Sequence, residues 1–333
     1  MSPRLILVTG GAGFIGSNIV AELAADPDLD IVVCDHLRAA ALGKWRNLAK
    51  HPIVDFIPPD DLFAWLAGRG ADVATIIHMG AVSSTTEADA DLIMSTNFAL
   101  SRDLFAWCAA KGRRLIWASS GATYGDGSAG FDDEDDLASL AALRPLNAYG
   151  WSKALFDLHA AREAARGRAP RQWTGLKFFN VYGPNEAHKG AMASVIAQMW
   201  PDVASGAPVK LFRSYKPGVP DGGQKRDFIY VRDVARAVAW LLRAGEVNGV
   251  FNLGSGAART FEDLARALFK AAGRTSSIDY VEMPANLRGR YQYFTQARME
   301  RLRAAGYVEP FASLEEGVAD YVESFLAAPD PYR

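Results

Sequence analysis

The chain of 333 residues is poor in several features that would each point to a particular kind of protein. It has only 2 cysteines, and Cys34 and Cys108 both sit in apolar runs, so they read as buried free thiols and exclude a disulfide framework. It has 5 histidines, too scattered for a metal cluster, so no metal is expected. It has little excess of either charge: Lys plus Arg total 36 against 38 Asp plus Glu, with no basic stripe of the kind that neutralises a phosphate backbone. A nucleic-acid partner is therefore not expected. No apolar run approaches the roughly 18 residues of a membrane span. The start, MSPRLILVTGG, has an apolar stretch too short for a signal peptide and runs straight into glycines, so a cytoplasmic protein is expected.

What is present alternates. Arg4–Val8, Ile31–Cys34, Ile53–Ile57, Thr75–His78, Leu115–Ala118 and Thr174–Phe179 read as strands. Phe14–Ala25, Ala90–Ala110 and Tyr149–Arg166 read as helices. Strands alternating with helices predict an α/β protein with a doubly wound parallel sheet, a Rossmann-type fold. After residue 180 the pattern loosens, and Arg213–Gln224 reads as an exposed loop. The expected division is 1–180 for a dinucleotide-binding domain and 181–333 for a smaller substrate lobe, with about 226–256 returning to the large domain. The acidic run Asp132–Asp136 reads as a solvated loop face, and Met192 and Met199 as core residues of one helix.

Gly10, Gly11, Gly13 and Gly16, with Phe14 and Ile15 between the last two, follow the first strand and open the first helix. This spacing gives a tight turn and lets a pyrophosphate sit on a helix N-terminus. Asp35, 19 residues beyond Gly16, suits the ribose hydroxyls of NAD; Arg38 and Lys44 suit the 2′-phosphate of NADP. His36 reads as a phosphate contact or as an exposed side chain. Tyr149 and Lys153 are four residues apart, hence one helical turn apart on one face. Lys153 can then lower the phenol pKa and hold the nicotinamide ribose, while Tyr149 takes the proton of an alcohol. Ser120 lies 29 residues upstream of Tyr149, after the fifth strand, where open α/β sheets keep their sites. His78, in an apolar strand, reads as a core histidine. Arg226 and Arg290 suit a diphosphate.

TGGAGFIGSN, the Ser120/Tyr149/Lys153 triad, FFNVYGP at Phe178–Pro184 and RDFIYVRDVA at Arg226–Ala235 together resemble the extended short-chain dehydrogenase/reductases that act on nucleotide sugars. Three further stretches are similar to the family of ADP-glycero-manno-heptose 6-epimerases: Gly80–Glu87, Glu186–Gly190 with Met192–Ser194, and Gly289–Gln292 before Phe294–Gln296. The resemblance implies an isomerase that oxidises C6 of ADP-heptose and returns the hydride to the opposite face, with no net redox. It implies tightly held NADP, NAD being possible, a place in lipopolysaccharide inner-core precursor synthesis, and a homo-oligomer, a pentamer in the family. It implies catalytic roles for Ser120, Tyr149, Lys153 and Lys189. The implied cofactor residues are Gly10–Phe14, Asp35, His36, Lys44, Met79, Gly80, Ala81, Ser83 and Asn97, with Val181 added from FFNVYGP. The implied substrate residues are Ser84, Asn180, His188, Ala191, Gln198, Phe212, Arg213, Ser214, Arg226 and Tyr291, with Arg213–Gln224 rimming the pocket. The chain departs from the family at Met79, Pro58, Pro59, Ala191 and Gln198.

Three other readings are weaker. A 4,6-dehydratase needs acids after the serine, where Ser120 is followed by Gly-Ala-Thr-Tyr-Gly. Against another sugar epimerase or reductase, such as one acting at C4 of a UDP-hexose, stands Lys189 in His-Lys-Gly. A non-catalytic dinucleotide-sensing module would have no use for Tyr149 and Lys153.

Overall fold

The computed structural model describes residues 4–37, 43–288 and 291–333; Arg38, Gly289 and Arg290 lie outside the described residues. Twelve strands run in chain order: β1 Arg4–Thr9, β2 Leu29–Cys34, β3 Asp55–Ile57, β4 Val73–His78, β5 Arg114–Ser120, β6 Gln172–Phe178, β7 Asn180–Tyr182, β8 Val209–Phe212, β9 Lys225–Tyr230, β10 Gly249–Leu253, β11 Ala258–Thr260 and β12 Ile278–Val281. Seven form one parallel sheet in the order β10-β6-β5-β4-β1-β2-β3. The apolar character of β1, Leu5 through Val8 all buried, follows from a sheet covered on both faces. The chain winds outward from β1 to β3, then restarts on the other side of β1 at β4. The crevice where the direction reverses is where such sheets bind ligands.

The helices are α1 Phe14–Leu23, α2 Leu62–Arg69, α3 Ala90–Ile93, α4 Leu100–Lys111, α5 Leu137–Ala142, α6 Ala148–Ala165, α7 Val195–Ser205, α8 Val231–Arg243, α9 Phe261–Ala271, α10 Ala285–Arg288, α11 Glu300–Ala304 and α12 Leu314–Tyr321. On one face of the sheet α1 and α8 bury Ile19, Val20, Leu23, Val234 and Val238. On the other face α4 and α6 bury Leu104, Phe105, Cys108 and Phe156. Both cysteines are free and buried. A second core joins α7, α9 and α12 around Ile196, Leu264, Leu268 and Val318. It lies beside the small sheet β11-β9-β7 and the pair β12-β8.

The structure corrects the sequence reading in three places. The helix expected over Ala90–Ala110 is interrupted by a wider π-type turn, Met94–Ala99. Asn97 in that turn is fully buried and receives the N–H of Val82 at 2.8 Å. The acidic run is a solvated face only in part: Asp132, Glu134 and Asp136 are exposed, but Asp133 is buried and Asp135 half-buried. Asp133 accepts the N–H of Asn252 at 2.8 Å and Asp135 that of Val250 at 3.0 Å, so two carboxylates serve the outer edge of β10. Arg301 pairs with Asp135 at 2.8 Å, and Asp136 caps α5. Met199 is buried on α7, but Met192 precedes that helix and is exposed. No helix among the described residues is long and apolar enough to cross a membrane.

Candidate functional site

A cavity of about 470 Å³ opens at the carboxyl ends of β1, β4, β5 and β6. Its floor is the glycine turn. Gly10 has φ +67°, and a Cβ built on it would fall 2.5 Å from the Gly80 nitrogen, so only glycine lets the β1 and β4 ends close up. Gly13 begins α1 without any side-chain cap, which leaves the helix N-terminus able to receive an anion. Asp35, at the end of β2, accepts the Ala12 N–H at 2.9 Å and pairs with Lys44 at 2.5 Å. Lys44 also donates to the His36 carbonyl at 3.1 Å.

One wall is α6. Asn147 caps it through the Gly150 N–H, at 2.8 Å, and one turn separates Tyr149 from Lys153. The Tyr149 phenol hydrogen-bonds Ser120, which ends β5. Burial raises the phenol pKa, and that hydrogen bond opposes the rise. Lys153 is 3% exposed and donates to the Ala118 carbonyl at 2.8 Å, not to the phenol. Burial pushes its pKa down to about 8 against the pull of Asp157. Ser120 is thus a group that lowers the phenol pKa, while the Lys153 ammonium one turn away rests on the Ala118 carbonyl.

Another wall is the turn Ala187–Met192, in which Gly190 takes φ +53° and ψ −124°. Lys189 places its ammonium 5.2 Å from the centre of the Phe14 ring. Burial lowers its pKa and Glu186 opposes this. His188 Nδ1 lies 3.2 Å from the Asn47 amide nitrogen. Burial, together with Lys44 and Lys189, lowers the His188 pKa to about 4.

All four residues implied to be catalytic, Ser120, Tyr149, Lys153 and Lys189, line this cavity. So do Gly10, Gly13, Phe14, Ile15, Gly16, Asp35, Lys44, Met79, Gly80, Ala81, Ser83 and Val181. Gly11, His36 and Asn97 do not. Gly11 packs under Val33, and the His36 side chain is exposed. Asn97 binds both polar groups of Val82 and the Ser152 hydroxyl, so it ties the Met79–Ser84 loop to α6 from behind. Of the residues implied for substrate, Asn180 and His188 line the cavity. Ser84, Ala191 and Gln198 do not; Gln198 is exposed and donates to the Ala193 carbonyl at 2.7 Å.

Phe212, Arg213, Ser214, Arg226 and Tyr291 gather in a separate cluster. Tyr291 meets Phe212 edge-on, with ring centres 6.2 Å apart, and Arg226 lies 5.3 Å from the Tyr291 ring. Arg226 is buried, and among the described residues it pairs with no carboxylate. It lies two residues before Phe228 on β9, hence on the same face, and Phe228 lines the cavity. The loop from Arg213 to Gln224 does not line the cavity; Arg213 turns to Asp221 at 3.0 Å and Ser214 to the same carboxylate at 2.7 Å.

Besides Ala118 and Ser119 on β5 and Phe228 on β9, sequence reasoning missed Phe178, Phe179, Tyr182, Met192, Ala193, Ser194, Val195, Ile196 and Leu264 among the lining residues. Phe178, Phe179 and Tyr182 stand inside the quoted FFNVYGP. Those from Met192 to Ile196, and Leu264, are apolar or small residues around the start of α7 or on α9, and their pattern is that of core. Glu186, 1% exposed, was also passed over. It accepts from the Ser194 hydroxyl at 2.6 Å and from Tyr321 at 3.0 Å. Among the described residues no three His, Cys, Asp or Glu side chains cluster as a metal site needs.

Comparison with known proteins gives the family and the fold. Residues 6–254 match the model of the NAD dependent epimerase/dehydratase family. The chain is 49% identical to the ADP-L-glycero-D-manno-heptose-6-epimerase of Nitratidesulfovibrio vulgaris strain DP4, covering 98% of this chain and 100% of that one. The crystal structure of the Helicobacter pylori ADP-L-glycero-D-manno-heptose-6-epimerase superposes with a TM-score of 0.78 at 29% identity, covering 97% of this chain and 96% of that one. The Thermus thermophilus UDP-glucose 4-epimerase, solved with NAD, superposes with a TM-score of 0.76 at 30% identity, over 97% and 99% of the two chains.

Proposed function

Because the chain belongs to the NAD dependent epimerase/dehydratase family, and within it to the ADP-L-glycero-D-manno-heptose-6-epimerases, we propose that it is an isomerase that inverts C6 of the heptose in ADP-heptose. The observation that carries this reading is that Tyr149 on α6 and Lys189 in the turn Ala187–Met192 line one cavity together with the glycine turn.

The residues present fit a nicotinamide dinucleotide. Gly10 lets the ends of β1 and β4 close up beneath the start of α1, and that uncapped helix start suits the pyrophosphate. Asp35 and Lys44 would hold the adenosine ribose, and Lys153 the nicotinamide ribose. We favour NADP, because Lys44 suits a 2′-phosphate and matches the family's lysine. The bound dinucleotide supplies a hydride acceptor at C6 and then the donor.

The chain's own groups handle protons and charge. Tyr149, bonded to Ser120, takes the C6 hydroxyl proton as its tyrosinate while the alcohol becomes a ketone, and proton exchange with solvent afterwards restores the starting charges of Tyr149 and Lys189. Inversion requires the ketone to present its other face, so its oxygen must sit against a different wall when the hydroxyl re-forms. Lys189 supplies the proton there. Arg226, buried and without a carboxylate partner among the described residues, suits the diphosphate through charge-assisted bonds. Residues 1–180 would bind the dinucleotide and 181–333 mainly the sugar nucleotide. The same reading makes the protein a cytoplasmic homo-oligomer that supplies a lipopolysaccharide inner-core precursor.

Purified protein incubated with ADP-D-glycero-D-manno-heptose and followed by NMR is expected to give the L-glycero epimer without net consumption of dinucleotide. Inversion at C4 of a UDP-hexose, with ADP-heptose untouched, overturns the substrate assignment.

A further inference from the structure

Behind the Tyr149 wall lies a charged pair that the proposed mechanism leaves unused. Tyr149, Lys153 and Asp157 stand at successive turns on one face of α6. Asp157 is fully buried, and each of its oxygens is engaged. It accepts from Trp117 Nε1 at 3.1 Å, from Ser119 Oγ at 2.6 Å and from Lys177 Nζ at 2.8 Å. Lys177, on β6, is 1% exposed; it also donates to Thr123 Oγ1 at 2.9 Å and lies 5.2 Å from the Tyr124 ring centre. One carboxylate therefore binds α6 to β5 next to Ser120, and to β6 and the turn that follows β5.

A buried ion pair is a costly way to obtain mere stability, since packed apolar side chains of similar size often serve as well. Its placement matters more. A lone buried anion one turn from Lys153 would act on both the ammonium and the phenol; a cation bonded to it offsets that field. The structure assigns to Asp157 and Lys177 the part of positioning residues: a neutral buried pair that fixes Ser120 against the Tyr149 face and balances the charge felt there.

The charged and titratable groups facing this region are few. They are His78 from β4, Tyr124 after β5, Lys177 from β6, and Tyr149 and Lys153 on α6 itself, with Asp133 beyond Tyr124 and Lys189 and His188 across the cavity. Burial holds the His78 pKa at about 3, so it stays neutral. Asp157 raises the pKa of both Tyr149 and Lys153.

This inference rests on the role proposed above for Tyr149. It is tested by the pH dependence of kcat on ADP-D-glycero-D-manno-heptose, with folding checked by circular dichroism and dinucleotide retention. In Asp157→Asn the limb on which Tyr149 gains a proton is expected to move to lower pH, and in Lys177→Met to higher pH, each by about half a unit or more. In Asp157→Asn/Lys177→Met it is expected back near its native position. A limb that stays put in both single variants, or moves the same way in both, reduces the pair to packing and overturns the proposal. If a single variant does not fold, Lys177→Arg and the double variant carry the test. Both keep the pair neutral, and a limb displaced in either overturns the proposal. In Tyr149→Phe the limb is expected to vanish. Its survival there would instead sink the role given to Tyr149.

Discussion

The two walls of the cavity are built by opposite means. The Tyr149 wall is regular: an 18-residue helix, capped by Asn147, whose period alone aligns the phenol with Lys153. The Lys189 wall is irregular. Its turn needs a left-handed Gly190, follows an Asn185 at φ +70°, and is stitched by the Glu186 carboxylate to Ser194 and Tyr321. Lys153 is buried and Lys189 half-buried, and each has a carboxylate on its own segment, Asp157 or Glu186. Asp157 has Lys177 as a second cation bonded to it, whereas Glu186 makes no ion pair among the described residues and feels the charge of Lys189. A helical wall can keep its geometry when one side chain is changed. A wall made of a turn depends on each of its stitches.

The sharpest break of this comparison is Tyr149→Phe. Loss of one general acid/base is expected to lower kcat by roughly 10²–10⁴-fold with the dinucleotide still bound, measured by turnover and by chromatography of the released nucleotide. Lys189→Met should lower turnover by about 10²-fold or more with little change in KM. A collapse of affinity with turnover intact at saturation would make Lys189 a phosphate clamp and leave one proton carrier. Next comes pH. Lys153 is protonated below about 8 and loses its charge above, so dinucleotide affinity is expected to weaken by up to about tenfold between pH 7 and 9.5 by titration calorimetry, the scale of one charge-assisted bond. For stability the sign is the reverse: its folded pKa lies below the unfolded one, so the penalty of burying the cation is relieved as pH rises from about 8 toward the usual lysine range. The smallest effect tests the turn. Glu186→Gln removes the charge but keeps most of the shape, and is expected to cost a few-fold in turnover, on the scale of one weakened hydrogen bond, while the Tyr149 limb of the pH profile stays in place. A profile with an inflection near 6.5 that His188→Asn removes would contradict the neutral His188 described here, whose pKa is lowered to about 4.

Most of the sheet could be read from the chain because its strands are apolar runs bounded by glycine and charge, and the helix of Tyr149 because its period is unbroken. The glycine floor was legible for the same reason: its spacing is local. What failed was non-local. Nothing near Asn97 in sequence announces that its amide holds Val82 and Ser152, so the π-type turn was read as plain helix. Asp133 and Asp135 looked like a solvated run because their partners, Asn252 and Val250, lie more than 100 residues away. Met192 was taken for core because helical spacing to Met199 was assumed across a break at Ala193. Arg213–Gln224 was placed at the pocket by resemblance, whereas its own Asp221 draws Arg213 and Ser214 inward.

The carboxylates along β10 have a consequence for how copies of this chain can meet. An outermost strand ordinarily offers a row of free N–H groups on which a strand from another molecule can add. Here the N–H groups of Val250 and Asn252 are already engaged by Asp135 and Asp133. At the other margin β3 is only three residues long. The seven-stranded sheet is thus blunted at both ends. Two molecules are not expected to fuse their sheets into a continuous one, and association between them falls to helical faces and loops.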